Sequence, residues 1–222
     1  MKNSQLLYLN LITVFSIGQA VGQTIVYDNN AGGASGIDQS FGSDLDSGFL
    51  QADDVTLTSD TVITGVQWTG VYLGSQQTAP AADHFTVSIF ANAAGSPDGG
   101  AMLASFNVGN AVSRQDSGID LFAVTNIYNY EAAINYTFAA GTTYWVAIST
   151  DTSDDAEDNF FWTSQLNQGN HHFSQDNGAT WAAGSNPNGS RHDFRLSGVP
   201  IPEPSSMMFL GLSALAIFKR RR

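Results

Sequence analysis

The sequence predicts an all-β protein built as a single β-sandwich, and three observations carry that prediction. Between residues 23 and 198 the chain is rich in Gly, Asn, Asp, Ser and Thr, with short β-branched or aromatic runs between turn clusters. Several runs alternate apolar and polar residues, which is the period of a half-buried strand. No unit of about 20–50 residues repeats, which argues against a solenoid or a propeller.

Taken in order, Thr24–Tyr27 is the first expected strand. Asp28–Ser47 reads as a Gly- and Asp-rich loop, tacked down by Ile37, Phe41 and Leu45. Phe49–Leu57 follows, where Val55-Thr56-Leu57 alternates. In Val62–Leu73, residues Val62, Thr64, Val66 and Trp68 share one parity, and Gly65 and Gly70 mark bulges or close packing. Phe85–Ala91 is the clearest alternator, with Phe85, Val87 and Ile89 on one face and Thr86, Ser88 and Phe90 on the other. Gly95–Gly100 is a turn cluster. Leu103–Val108, Leu121–Thr125 and Asn126–Phe138 are further candidates, and Gly141 turns the chain into Thr143–Thr150. Phe160–Thr163, His171–Ser174, Ala179–Ala182 and a closing His192–Leu196 complete the set.

Both ends stand apart from this domain. Lys2, the largely apolar Leu6–Ile17 and the small residues Gly18, Ala20 and Gly22 have the order of a secretory signal peptide, expected as a helix over residues 1–22. At the other end, residues 199–222 place three prolines ahead of the uncharged run Met207–Phe218 and then Lys219, Arg220, Arg221 and Arg222. Such a basic cluster prefers the cytoplasmic side of a membrane. As a helix the apolar run rises only about 18–21 Å, short of a hydrocarbon core of about 30 Å, so a temporary stop suits it better than a permanent span.

The tail, Pro202-Glu203-Pro204 followed by the apolar run and the basic end, resembles the PEP-CTERM sorting signal of bacterial surface proteins. The resemblance implies that an exosortase recognises Pro202, Glu203 and Pro204 and removes the anchor, with Lys219–Arg222 as the membrane stop. The protein would be membrane-anchored only until then, and its place would be the cell surface or an exopolysaccharide matrix. The same motif also carries an ice-binding-protein label. Threonines 56, 58, 61, 64 and 69 do not repeat regularly enough for an ice-binding face. Ala52–Leu57, Ile63–Trp68, Tyr144-Trp145 and Asp193–Leu196 are also similar to exported sandwich domains found ahead of this tail. That similarity implies a jelly-roll-like or Ig-like sandwich and assigns no activity.

Charge and composition remove several functions. Between residues 23 and 204 there are three Arg (114, 191 and 195) against twenty Asp and Glu, a surface that repels nucleic acid. Without cysteine there is no thiol catalysis and no disulfide, and the core must hold the fold, helped by Ca²⁺ if any cation binds.

Four constellations remain. Ser174, Asp176, Gly178, Thr180 and Trp181 match the Asp-box pattern, which closes a hairpin and lies away from active sites in the proteins that carry it. Asp151, Asp154, Asp155, Glu157 and Asp158 put five carboxylates in one loop, a candidate Ca²⁺ site that lacks EF-hand spacing. Adjacent His171 and His172 point to opposite faces, so a metal site pairing His172, His192 and Asp193 is disfavoured, and the default histidine is satisfied or exposed. Tyr144 and Trp145 alternate, as do Phe161 and Trp162, so some rings should face outward. Tyr144, Trp145 and Trp162 are the candidate glycan contacts. No carboxylate pair and no nucleophile elbow is singled out, so no catalytic residue is assigned. The expected function is an exported structural or polysaccharide-binding module, with a secreted glycan hydrolase as the alternative.

Overall fold

The structure, a computed structural model, describes residues 24–29, 36–75, 77, 79–154, 158–166, 169, 171–184 and 189–202. The expected signal helix, the expected hydrophobic tail helix, Glu203, Pro204 and Lys219–Arg222 lie outside the described residues, as do Asp155 and Glu157.

Two antiparallel sheets face each other, as the alternating runs require. The first contains β1 (Thr24–Asp28), β2 (Gln39–Gly42), β4 (Thr61–Gly74), β7 (Ser113–Leu121), β8 (Thr125–Phe138), β10 (Asp158–Leu166), β13 (Ser190–His192) and β14 (Phe194–Pro200). The second runs β12-β11-β3-β9-β5-β6, made of Ala182–Ala183, His172–Ser174, Leu50–Thr56, Thr143–Ser149, Phe85–Ala93 and Ser96–Gly109. The described residues contain no α-helix.

The core lies between the sheets. Trp68 stacks on Tyr130 at 5.4 Å and meets Phe85 edge-on at 5.0 Å, with Ile63, Val66, Phe160, Trp162 and Phe194 around them. The alternation of β5 is realised as expected, with Phe85, Val87 and Ile89 all fully buried in that core.

Strand β4 departs from simple parity. The core takes Ile63, Val66 and Trp68, while Val62 and Thr64 are half-buried. Against β14 the pairing steps from Ser197↔Gly65 to Gly198↔Ile63, so Thr64 is an extra residue there. A bulge shifts which face each later residue addresses, and sequence parity cannot follow it. Gly70 in the same strand is close packing: a Cβ there would lie 2.2 Å from the Phe160 ring.

Other departures have similar causes. Strand β7 is mostly exposed and polar, so it shows no alternation, and it falls between the expected strands Leu103–Val108 and Leu121–Thr125, where none was assigned. The strand expected at Leu121–Thr125 is instead the β7–β8 turn, in which Phe122 and Ala123 have φ of 54° and 57°. Strand β2 falls inside the loop expected over residues 28–47, and β6 begins at Ser96, inside the expected turn cluster. Strand β14 extends to Pro200, two residues beyond the expected domain boundary, where Pro200 faces Thr61.

Candidate binding cleft

The loop that carries the chain from β2 in the first sheet to β3 in the second is tied to one carboxyl group. Asp44 is fully buried. Its Oδ1 accepts the amides of Asp46 (3.1 Å) and Thr152 (3.3 Å). Its Oδ2 accepts the Thr152 hydroxyl (2.6 Å) and the Phe160 amide (3.0 Å). Asp44 and Phe49 also exchange both backbone hydrogen bonds, at 2.7 and 3.1 Å, closing a tight turn through Gly48 with φ 77°. Ser43 Oγ donates to Ile148 O (2.6 Å) and accepts the Gln51 amide (3.1 Å). This stitching leaves the Phe49 ring 38% exposed on a rigid loop.

Phe49 stands between two adjoining hollows that share Gly42. One, of about 230 Å³, is lined by Phe41, Gln51, His171, Phe173 and Gly184. The other, of about 320 Å³, is lined by Ser47, Asn159 and Phe161. Together they form an aromatic cleft with amide and hydroxyl groups on its walls and no carboxylate among its lining residues. Gln51, 4% exposed, donates its Nε2 to Gly42 O (2.9 Å), and its Oε1 receives no donor from the protein.

His171, His172 and His192 are buried rather than on the surface, while His84 is partly exposed; the expected surface placement is corrected for those three. His171 accepts or donates through Nδ1 to Ser190 Oγ at 2.7 Å and packs on Phe41 at 4.4 Å. Gly184 is needed here, because a Cβ would enter the His171 ring at 2.3 Å. His192 stacks on Trp162 at 4.3 Å and lies 5.0 Å from His171. His172 turns to the opposite side, against Trp145 at 4.5 Å. Thus His171, not His172, is the histidine beside His192.

The acidic pairs beside this layer are structural. Fully buried Asp53 accepts the amides of His192 (2.6 Å) and Asp54 (2.8 Å) and meets Arg191 Nε at 3.4 Å. Burial pushes its pKa up to about 7, against the opposing pull of Arg191. Asp193, also raised to about 7 by burial, accepts Gln165 Nε2 at 2.8 Å. Among the described residues all three arginines are ion-paired: Arg114 with Asp83, Arg191 with Asp53 and Asp54, and Arg195 with Asp28.

A pH prediction follows from His192. Burial lowers its pKa well below 6.5, so below pH 6.5 the unfolded chain takes up a proton that the fold refuses. The stability carried by its neutral ring is fully present above pH 6.5 and declines as the pH falls through that value. Relative to His192→Phe, the wild type should lose roughly 1.4 kcal/mol per pH unit below 6.5. Denaturant melts at neutral and mildly acidic pH measure this, and a constant difference between the two proteins would refute it.

The three ring residues expected to touch glycan are all enclosed, which is a correction. Tyr144 (8% exposed) points into the core and stacks on Phe138 at 4.4 Å, and Trp162 (0%) lies within the core. Trp145 (3%) faces the outer side of the second sheet, as its parity requires, but the β11–β12 hairpin covers that side. Tyr144 and Trp145 contribute to shallow grooves that share Asn92 and Thr143.

That hairpin turn is closed by its own side chains. Ser174 Oγ donates to Asp176 Oδ1 (2.7 Å) and accepts the Gly178 amide (2.8 Å). Asp176 accepts the Thr180 amide (2.8 Å) and hydroxyl (2.7 Å), which pulls its pKa down to about 2. Trp181 donates Nε1 to Gly178 O (3.1 Å) and sets its ring against Phe90 at 5.3 Å.

In the acidic loop, Asp154 is exposed and faces His84 at 3.6 Å, while buried Asp158 accepts the Gln77 amide at 2.9 Å. Asp151 accepts the Ser153 amide at 3.1 Å. Among the described residues no group of three or more His, Asp or Glu is placed to hold a metal ion.

Beyond Pro200, the Ile201 amide donates to Asp60 O at 2.7 Å, and Ile201 and Pro202 are exposed. Residues 200–222 match the PEP-CTERM protein-sorting motif. The chain carries an exosortase sorting tail. The motif implies an exported protein sorted to the cell surface. No curated protein and no solved structure matches the chain.

Sequence reasoning missed Phe49, Gln51 and Asn159 as cleft residues. The available signal was Asp44-Leu45-Asp46-Ser47-Gly48, a turn that ends in a glycine and hands an aromatic residue to the following strand.

Proposed function

We propose that this protein is a surface-sorted, non-catalytic module that binds polysaccharide in the Phe49 cleft, and that its tail holds the precursor in the membrane until exosortase removes it. The observation that carries the reading is an exposed ring on a fixed loop, flanked by further rings and by amide and hydroxyl groups. Sugars present apolar C–H faces to rings and hydroxyls to such polar groups. The absence of a carboxylate from the cleft lining favours binding over glycoside hydrolysis, which uses a placed pair.

The position of the cleft supports the same reading. Strand β4 runs from Thr61, beside Pro200, to Gly74, beside Asp158, roughly 40 Å at about 3.3 Å per residue. Phe161 pairs with Val71 toward the Gly74 end, and Thr24 pairs with Gly198 at the other. The cleft therefore lies toward the pole opposite the sorting tail and would face away from the anchoring membrane.

Phe49→Ala tests the proposal. The variant should still be sorted and should melt close to wild type, because its ring is partly exposed. Its co-sedimentation with the extracellular polysaccharide of the producing cell should fall about tenfold, the loss of one stacking contact of roughly 1–1.5 kcal/mol. Wild-type co-sedimentation would reject the cleft, and a steady rise in sugar reducing ends would favour the hydrolase alternative.

A further inference from the structure

We infer that the cleft selects an uncharged, hydroxyl-donating glycan and rejects acidic polysaccharides such as polyuronates. This rests on the glycan-binding reading above and specifies its ligand class.

Two independent observations carry it. The first is the hydrogen-bond state of the walls. Ser47 has committed its hydroxyl hydrogen to Asp44 O at 2.9 Å, and Gln51 has committed an Nε2 hydrogen to Gly42 O. These residues leave oxygens without donors, Ser47 Oγ and the buried Gln51 Oε1, beside amide hydrogens on Gln51 Nε2 and Asn159 Nδ2. A wall of mixed acceptors and donors is matched by hydroxyls, which both donate and accept, whereas a carboxylate can only accept.

The second observation is charge. Acidic polysaccharides are held by unpaired Arg or Lys, ideally in bidentate contact. The described residues contain three Arg and no Lys, and each Arg is already paired with an aspartate. None of them lines the cleft. The surrounding domain is strongly acidic, and its field would oppose the approach of a polyanion at low salt. A neutral chain meets no such barrier, and the rings Phe41, Phe49, Phe161 and Phe173 offer it apolar contact.

The test is affinity electrophoresis of the full-length protein with Lys219, Arg220, Arg221 and Arg222 changed to Gln, so that the basic end does not itself hold a polyanion, in mild nonionic detergent with a chelator, through gels containing either a neutral β-glucan or polygalacturonate. The expected result is retardation by the β-glucan gel that is unchanged between low and high salt, and free migration through polygalacturonate. Phe49→Ala should weaken the β-glucan retardation about tenfold in apparent Kd. Ser47→Lys, a cation on the exposed rim, should create salt-sensitive retardation by polygalacturonate of roughly threefold over the parent. Retardation by polygalacturonate alone, or by both gels equally, overturns the ligand class and leaves glycan binding standing. Retardation by neither gel overturns the binding reading itself.

Discussion

Replacing Asp44 by alanine should cost on the order of 3–4 kcal/mol of stability and abolish glycan retention. Four donors converge on this one buried carboxyl group: two amides and a hydroxyl from the loops at Asp46 and Thr152, and the amide of Phe160 in β10. Alanine leaves them all without that acceptor, three of them where water is excluded, and each such buried orphan costs about 1–3 kcal/mol before relaxation. Relaxation would move the loop, and the loop is what holds Phe49. Asp44→Asn keeps the shape but turns an amide against donors on one side, so its loss should be intermediate. Equilibrium denaturation of the three proteins orders them. An alanine variant within about 1 kcal/mol of wild type would show that Asp44 does not organise the crossover.

The same residue shows where sequence reasoning stops. From sequence alone, Asp44 and Asp46 are two acids in a Gly- and Asp-rich loop, open to a cation or to water. Only the fold brings Thr152 and Phe160 to Asp44, across more than a hundred residues. Strands β5 and β9 were legible because the core takes alternate residues without interruption. Strand β4 was legible as a strand, and Gly65 marked the bulge beside Thr64, but a glycine does not say whether it is a bulge or a close contact, so the parity read from Val62 to Trp68 did not allow for the shift.

Facing direction was readable and exposure was not. Tyr144 and Trp145 do point to opposite faces. Whether an outward ring meets solvent depends on what else packs there, and the Asp176 hairpin lies over Trp145. The histidines follow the same rule: His171 and His172 do point to opposite sides, but the burial of His171, His172 and His192 was not legible. His192 belongs to a strand of three residues, buried by Phe41 from β2 and Trp162 from β10, and short polar strands announce neither neighbour.

Changing Pro202, Glu203 and Pro204 together to alanine should nearly eliminate processing while leaving the domain untouched. Among the described residues the last in a strand is Pro200, and the last backbone bond to the sandwich is from the Ile201 amide to Asp60 O. Substitutions beginning at Pro202 leave in place every strand pair that holds β14 between β1 and β4. The melting transition should therefore match wild type. What changes is local chemistry. Glu203 is the only charged residue between Pro200 and Phe218, and prolines on either side of it disfavour a helix there. An enzyme reading this stretch as an extended strand would lose both its shape and its charge. Intact mass and membrane fractionation should then find a full-length, membrane-held precursor where the wild type is shortened and released. A variant released at wild-type mass would mean that the apolar run and basic end alone direct processing, and the Pro-Glu-Pro stretch would be only a spacer.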